Sequence, residues 1–361
     1  MLWKTRPSPL NAGVRAREKG IETATLLGTV LLAIRFVQGW IFWGGGSRRL
    51  IYAPAKLDPH AASWMANKLQ SAIPGALLGT GHLVGFLLRH FSILYPALIL
   101  FSVVELLAGL FLMAGFMTRL SSLVTIGLSI VLMLLFGWQG ATCIDEWTMA
   151  SANLAMGITL FLGGAPAFSV DRWILDRKPG WAGRGWFRWL LSGPMDPQWT
   201  RRAGLAGLAF TILFVGLTYN YYRGSIWSSF HGDPVSPTRH GIQLSRGWLS
   251  PGGAVHFDAV LDAGTAAEPA HIIDVRLIGS GGRVLERWSR HALSRLPADD
   301  FRNVYRYNRF VPGFGGITAR VGAQATIRLP ATRPLPDGSA GALFLELVTI
   351  NGHRFRLRLG R

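Results

Sequence analysis

The sequence predicts a membrane protein of mixed α and β class, with five transmembrane helices before residue 223 and an extracytoplasmic β-sandwich after it. Three observations predict this. Of 361 residues, 50% are hydrophobic and only 16% charged, with a mean hydropathy of +0.29; ordinary soluble domains carry about 25% charge. Five segments approach the roughly 20 apolar residues that a bilayer crossing takes. Beyond residue 223 the apolar pattern changes from continuous runs to alternation with period two. The same numbers argue against a soluble enzyme. Abundant apolar side chains exclude disorder, and the 44 glycines follow no three-residue period, which excludes collagen.

The spans are read at 23–43, 91–118, 120–138, 147–168 and 203–222. Arg35 is the one charge in the first and Glu105 the one charge deep in the second. Trp40, Trp43, Trp138, Trp147, Tyr219, Tyr221 and Tyr222 lie near span ends, where an aromatic belt is expected. Residues 1–22 form a basic arm with Lys4, Arg6, Arg15, Arg17 and Lys19, and 169–202 a basic linker with seven arginines and lysines. The positive-inside rule puts both in the cytoplasm, which requires four crossings between them. Residues 60–90 are therefore read as outer-surface helices or a re-entrant hairpin. The span at 203–222 then delivers 223–361 to the outside. In a bacterium this describes a multi-pass inner-membrane protein with a cytoplasmic N-terminus and a periplasmic C-terminal domain.

Alternation predicts strands at 254–262, 271–278, 283–288, 323–329, 342–350 and 353–359, separated by turn signals such as Gly279-Ser280-Gly281-Gly282 and Asn351-Gly352. Several short strands in so few residues suggest a sandwich. The stretch 299–312 is aromatic and arginine-rich and reads as a loop or short helix.

Charges inside a membrane are costly, so Arg35 and Glu105 come first as candidates. Counted along their helices they differ in depth by about 9 Å. Two uses stay open: a structural ion pair, or a part in a substrate or proton path. The densest cluster is Gly137-Trp138-Gln139-Gly140-Ala141-Thr142-Cys143-Ile144-Asp145-Glu146-Trp147. It sets the chain's single cysteine beside Asp145 and Glu146, between Trp138 and Trp147. Those carboxylates would raise the thiol pKa unless an arginine offsets them. The bland alternative is a helix start capped by Thr142 or Asp145. A predicted outer loop, Gly44-Gly45-Gly46-Ser47-Arg48-Arg49, followed by Lys56 and Lys68, has the glycines and cations to hold an oxyanion. Its alternative is a loop facing water or lipid headgroups. One cysteine excludes an intrachain disulfide and cysteine-rich metal sites; no flavin, haem or dinucleotide motif is visible. The net charge of +18 includes 18 arginines against 10 acidic residues in 223–361. It flanks membrane spans rather than any nucleic-acid module, so nucleic acid is not an expected partner.

These residues resemble the fused DoxD–DoxA form of thiosulfate:quinone oxidoreductase (TQO). The DoxD-like features are Arg35 with Gly39-Trp40, Gly44–Arg49, Lys56-Leu57-Asp58-Pro59, Trp64-Met65-Ala66-Asn67-Lys68, Glu105 with Gly109, Gly115 through Arg119, the Gly137–Trp147 block, and Ser169-Val170-Asp171. The DoxA-like features are Asn303-Val304-Tyr305 and the run Gly322-Ala323-Gln324-Ala325-Thr326 through Pro330. The resemblance implies a DoxX-like four-helix bundle over 23–168, and the coupling of two thiosulfates to tetrathionate with reduction of a ubiquinone-like membrane quinone. Combining that reaction with the residue reading above, Cys143, Glu105, Asp145 and Glu146 are the expected catalytic residues. Arg35, Arg48, Arg49, Lys68, Trp138 and Trp147 are the expected thiosulfate-binding residues, with no metal. The expected surroundings are the lipid bilayer and either further copies of the chain or a respiratory partner. A non-catalytic membrane anchor subunit and a sulfur-oxyanion transporter remain the competing classes.

Overall fold

The computed structural model describes residues 20, 22–52, 54–139, 146–223, 227, 236, 239–266, 268–331 and 342–360. Two compact units divide the chain: Met1–Pro54 with Leu98–Val131 and Met149–Gly216, and Ala55–Ala97 with Leu132–Thr148 and Leu217–Arg361.

The first unit is built mostly from apolar helices. α1 (Glu22–Val30) and α2 (Leu32–Ser47) meet at a bend of 42°, and a π-helical turn, Arg48–Tyr52, continues α2. α5 (Phe91–Ala114) and α6 (Thr118–Phe136) are 24 and 19 residues long and almost uninterruptedly apolar. α10 (Pro197–Arg223) runs for 27 residues. Among the described residues three helices, α5, α6 and Pro197–Tyr222 of α10, are long and apolar enough to cross a membrane, and the bent pair α1–α2 makes up to four. α7 (Glu146–Gly163) occupies most of the expected 147–168 span but stops five residues short, where Gly164 takes a left-handed φ of +64°. The start of α5, the end of α6, the start of α7 and the end of α10 belong to the second unit. Leu31, Leu112 and Leu160 form a buried cluster, and the partly buried Ile34 packs against it.

The α5–α6 connection is set by local chemistry. Gly115 adopts φ +66°, and the amides of Gly115 and Phe116 donate to Leu112 and Phe111 at 3.1 and 2.8 Å. This is the paired backbone closure that ends helices at a left-handed glycine. A Cβ on Gly115 would also strike Ser169. The N-terminus of α6 is then closed from a distance: Asp171, in α8 (Val170–Arg177), accepts from Met117 N at 2.9 Å, Thr118 N at 3.1 Å and Thr118 Oγ1 at 2.8 Å. A carboxylate facing free helix amides meets both their hydrogen bonds and the positive end of the helix dipole. A further short helix, α9 (Gly185–Leu190), follows.

The second unit holds α3 (Met65–Ala72), α4 (Thr80–Arg89) and a sheet-rich C-terminal region. Both helices are too short to span a bilayer. The first sheet orders β1 (Gly241–Leu249), β2 (Val255–Ala263), β8 (Gln324–Leu329) and β5 (Phe301–Asn303) as β1-β2-β8-β5. The second runs β10-β9-β3-β7-β6, with β4 also on β3; its strands are β3 (Ala270–Ile278), β4 (Val284–Ser289), β6 (Val311–Gly313), β7 (Gly316–Ala319), β9 (Phe344–Thr349) and β10 (Arg354–Arg358). All ladders are antiparallel. Phe257, Leu261 and Ile327 of the first sheet and Val275, Leu277, Leu345 and Leu347 of the second are fully buried.

Six strands fall where alternation predicts them. β1 was not expected. Its burial does not alternate cleanly, because a register shift between Ser245 and Trp248 and a left-handed Arg246 at φ +46° interrupt the pleat. The stretch 299–312, expected as a loop or short helix, carries a 3₁₀ turn (Ala298–Asp300), β5 and the start of β6.

Candidate functional site

Glu105 lies inside α5, and its carboxylate accepts from the guanidinium of Arg49 in the π-helical turn. Arg49 Nε donates to Ser102 Oγ at 2.8 Å, and its guanidinium sits 5.2 Å from the Phe101 ring. Ser102 and Glu105 are three residues apart on one helix, so they share a face and receive the same arginine. The two charged side chains are only 12% and 13% exposed. A Cβ on Gly45 of α2 would collide with the Glu105 carboxylate, so the glycine makes the room this acid occupies.

One expectation is corrected here, and one open alternative is decided. Gly44, Gly45 and Gly46 form no loop: they belong to α2, whose ladder occupies their amides, so they do not cradle an anion. Instead Gly45 admits Glu105, and Gly46 packs against the backbone of Leu106. Glu105 is also not paired with Arg35. Arg35 Nη2 donates to the Phe168 carbonyl at 2.6 Å and Nη1 to Ala167 at 3.5 Å. The difference in helical depth leaves Arg35 to these carbonyls, and the π-helical turn supplies Glu105 with Arg49. Arg48, next to it, is exposed.

A second polar cluster of the same unit surrounds Asp171. Beyond capping α6, this carboxylate accepts from Ser192 Oγ at 2.6 Å. Burial pushes its carboxyl above the usual carboxylate range, while hydrogen bonds from Ser192, Thr118 and Met117 pull against that shift. Arg119 donates to the carbonyls of Phe161, Arg188, Leu191 and Gly193 at 3.0, 2.5, 3.2 and 2.8 Å. Gln38 Nε2 reaches Asn153 O at 2.8 Å and Thr125 Oγ1 at 3.3 Å. Gln38 and Asn153 were not singled out from sequence, and Arg119 stood only in a motif without a role, although a polar residue within or at the edge of an apolar run is the signal that marks them.

In the second unit, Lys68 of α3 pairs with Glu146, the first residue of α7, and lies 5.4 Å from the Phe136 ring. A lysine therefore supplies the counter-charge that was expected from an arginine. Gln139 Nε2 donates to Ser71 O at 2.7 Å. Trp138 and Trp147 are buried, and their indole N–H groups are engaged by Ala72 O at 3.1 Å and Thr218 Oγ1 at 3.0 Å. Cys143 and Asp145 lie outside the described residues, in the segment between Gln139 and Glu146.

The C-terminal region grips α3. Gln70, fully buried, accepts from Asn308 N at 2.8 Å and donates to Asn308 O at 2.8 Å and Gly322 O at 2.9 Å. Asn308 Nδ2 returns to Asn67 O at 2.9 Å and Val321 O at 2.8 Å. At Gly322, φ is +84° and a Cβ would strike the Gln70 carbonyl, so this glycine is required both by its backbone and by its neighbour. Among the described residues no group of three or more His, Cys, Asp or Glu is arranged to hold a metal.

Apolar helices with a buried ion pair, and a sheet-rich C-terminal region, define the class: a membrane protein with a polar site inside its helical part. Residues 30–195 match the family described as "TQO small subunit DoxD". That match supports the DoxD resemblance for this segment and reaches no residue of the C-terminal strands. A solved structure, "Structure of Iho670 Flagellar-like Filament", aligns over 44% of this chain and 96% of its own at 10% identity, with a TM-score of 0.20, too low to carry an argument.

Proposed function

We propose that this chain is a membrane thiosulfate:quinone oxidoreductase that couples two thiosulfates to tetrathionate and passes the two electrons to a quinone. The observation that carries this reading is the Arg49–Glu105 pair, held in apolar helices within the residues that match DoxD. A carboxylate that needs an arginine to pair it and a glycine to make room for it has a structural cost that a plain helix contact would not impose. Glu105 then serves as the proton-handling acid of the site.

On this reading Arg48, Arg49 and Lys68, with Arg35, attract and hold the thiosulfate dianion. The Lys68–Glu146 pair offsets the negative charge near Cys143, which favours its thiolate. An S–S bond joins Cys143 to the outer sulfur of one thiosulfate as two electrons leave. A second thiosulfate attacks that bond, releasing tetrathionate and the thiolate, with Asp145, Glu146 and Glu105 handling protons. A bound quinone supplies the acceptor for two electrons and two protons. Trp138 and Trp147 frame the segment that carries Cys143. The proposed topology keeps the N-terminus in the cytoplasm and the DoxA-like strands in the periplasm.

The test is thiosulfate-dependent reduction of a short-chain quinone by purified protein in detergent, with tetrathionate measured as product. Turnover that falls at least about a hundredfold in Glu105→Gln, within the usual range for losing a general acid, supports the reading. Full activity in Cys143→Ser sinks the covalent step and leaves direct attack of thiosulfate on bound quinone. The matched family is described as a small subunit, which favours a second reading in which turnover requires a further chain. It predicts no activity from folded protein alone and recovery when that chain is added.

A further inference from the structure

Trp64, the residue before α3, is 1% exposed, yet its indole Nε1–H has no acceptor among the described residues. Buried indole N–H groups ordinarily find a partner, so this donor is available to a ligand. Its surroundings are aromatic. Tyr95 lies 6.0 Å from the Trp64 ring at 32°, Tyr307 lies 6.5 Å away at 50°, and Tyr95 stacks on Phe91 at 5.6 Å. The neighbour of Tyr307, Asn308, is bound to Gln70 and Asn67, which holds the loop in place beside α3. Lys68, one turn along α3, is taken by Glu146.

The chemistry of these groups selects a ligand. A dianion moved among three aromatic rings would lose its hydration, and the cation whose charge reaches Tyr307, that of Arg306, belongs to an exposed residue whereas Trp64 is buried. A neutral carbonyl needs only the single N–H that Trp64 offers. Nearby in the chain, α4 and the start of α5 expose Leu83, Phe86, Phe91 and Ile93, a lane for an apolar tail.

We propose that Trp64, Tyr95 and Tyr307 form the head-group site of the quinone. The indole N–H donates to one ring carbonyl, the tyrosine rings pack on the ring, and the tail lies along the exposed apolar side chains of α4 and α5. The site rests on the reading of a quinone as electron acceptor. It also draws Tyr307, from the sheet-rich region, into that function.

The test uses the full chain in detergent and a photoreactive azido-quinone with a decyl tail. Label mapped by mass spectrometry falls on peptides containing Trp64, Tyr95 or Tyr307, and excess unlabelled decyl-quinone suppresses it. Trp64→Phe, which keeps a ring but removes the donor, weakens binding about three- to tenfold. Tyr307→Leu, at a half-buried position, also weakens it while helix content stays that of the wild type. Label confined to other peptides, or both variants binding as the wild type does, overturns the site. Labelling at Trp64 in a protein that passes no electrons from thiosulfate leaves the site standing and removes the reaction. Thiosulfate-driven quinone reduction with label elsewhere does the reverse.

Discussion

Glu105 is held by Arg49 and lies against Gly45, so its carboxylate has a counter-charge on one side and bare backbone on another. Removing the arginine alone and removing the whole pair have different consequences. Arg49→Gln leaves a carboxylate without its cation in an apolar setting, and lowers stability by about 3 kcal/mol, the scale on which broken buried pairs act. The double variant Arg49→Met with Glu105→Met recovers most of that loss, since it removes both desolvation costs, while remaining without activity. Thermal unfolding in detergent, read beside turnover, separates the two effects. If both variants unfold at the same temperature as the wild type, the pair contributes nothing to the fold.

Lys68 and Glu146 behave otherwise, because their side chains are 47% and 30% exposed. Water screens such a pair to under about 1 kcal/mol, so Lys68→Ala leaves the unfolding temperature nearly unchanged. Its expected effect is on Cys143, three residues before Glu146. Since this is the chain's single cysteine, iodoacetamide labelling reports on it alone. The labelling profile moves to higher pH in Lys68→Ala, which loses a cation, and to lower pH in Glu146→Gln, which loses an anion. Unmoved profiles in both would separate the pair from the thiol.

The grip of Gln70 on Asn308 and Gly322 predicts a large structural effect. Gln70→Leu strands the Asn308 amide and two carbonyls in a buried site and costs about 3 kcal/mol or more. Gly322→Ala forces a side chain into a left-handed backbone and against the Gln70 carbonyl, with a loss of similar scale. Protease sensitivity of the C-terminal region at fixed temperature measures both. Wild-type resistance in Gln70→Leu would remove α3 as its anchor.

His256, on β2, is held below the ordinary histidine range by burial first, and then by Arg328 and Arg302, against a smaller opposing pull from Asp300. The folded state thus prefers the neutral ring. Its contribution to stability is complete above the ordinary histidine pKa and is lost as pH falls through the lowered one. Arg328→Gln moves the titration up toward the ordinary value. Histidine NMR on the full chain, with His256→Gln to assign the signal, checks the direction; a downward shift would contradict it.

Much of the architecture was legible in the residues. Continuous apolar runs of α5, α6 and α10 and period-two strands such as β3 and β8 follow from local pattern, because burial on every side or on alternate sides imprints directly on composition. β1 escaped because a bulge and a left-handed Arg246 break its alternation. Gly44–Gly46 read as a loop because glycine is a poor helix former; packing against α5 overrides that local preference. Trp64 and Asp171 stood in the motifs without a role, since an unmet N–H and a distant helix cap are invisible in one dimension.

By itself, the sequence determined that this is a membrane protein with a sheet-rich C-terminal region, and that Glu105 is an acid placed deep in an apolar helix. Hydropathy and periodicity are properties of consecutive residues, so they survive without coordinates. Only the tertiary structure decided that Arg49 rather than Arg35 answers Glu105, that Lys68 answers Glu146, and that Asn308 and Gly322 close on Gln70. These partners stand 56, 78 and more than 200 positions apart in the chain. Such pairings depend on helix rotation, a π-helical turn and loop closure, which no local pattern encodes.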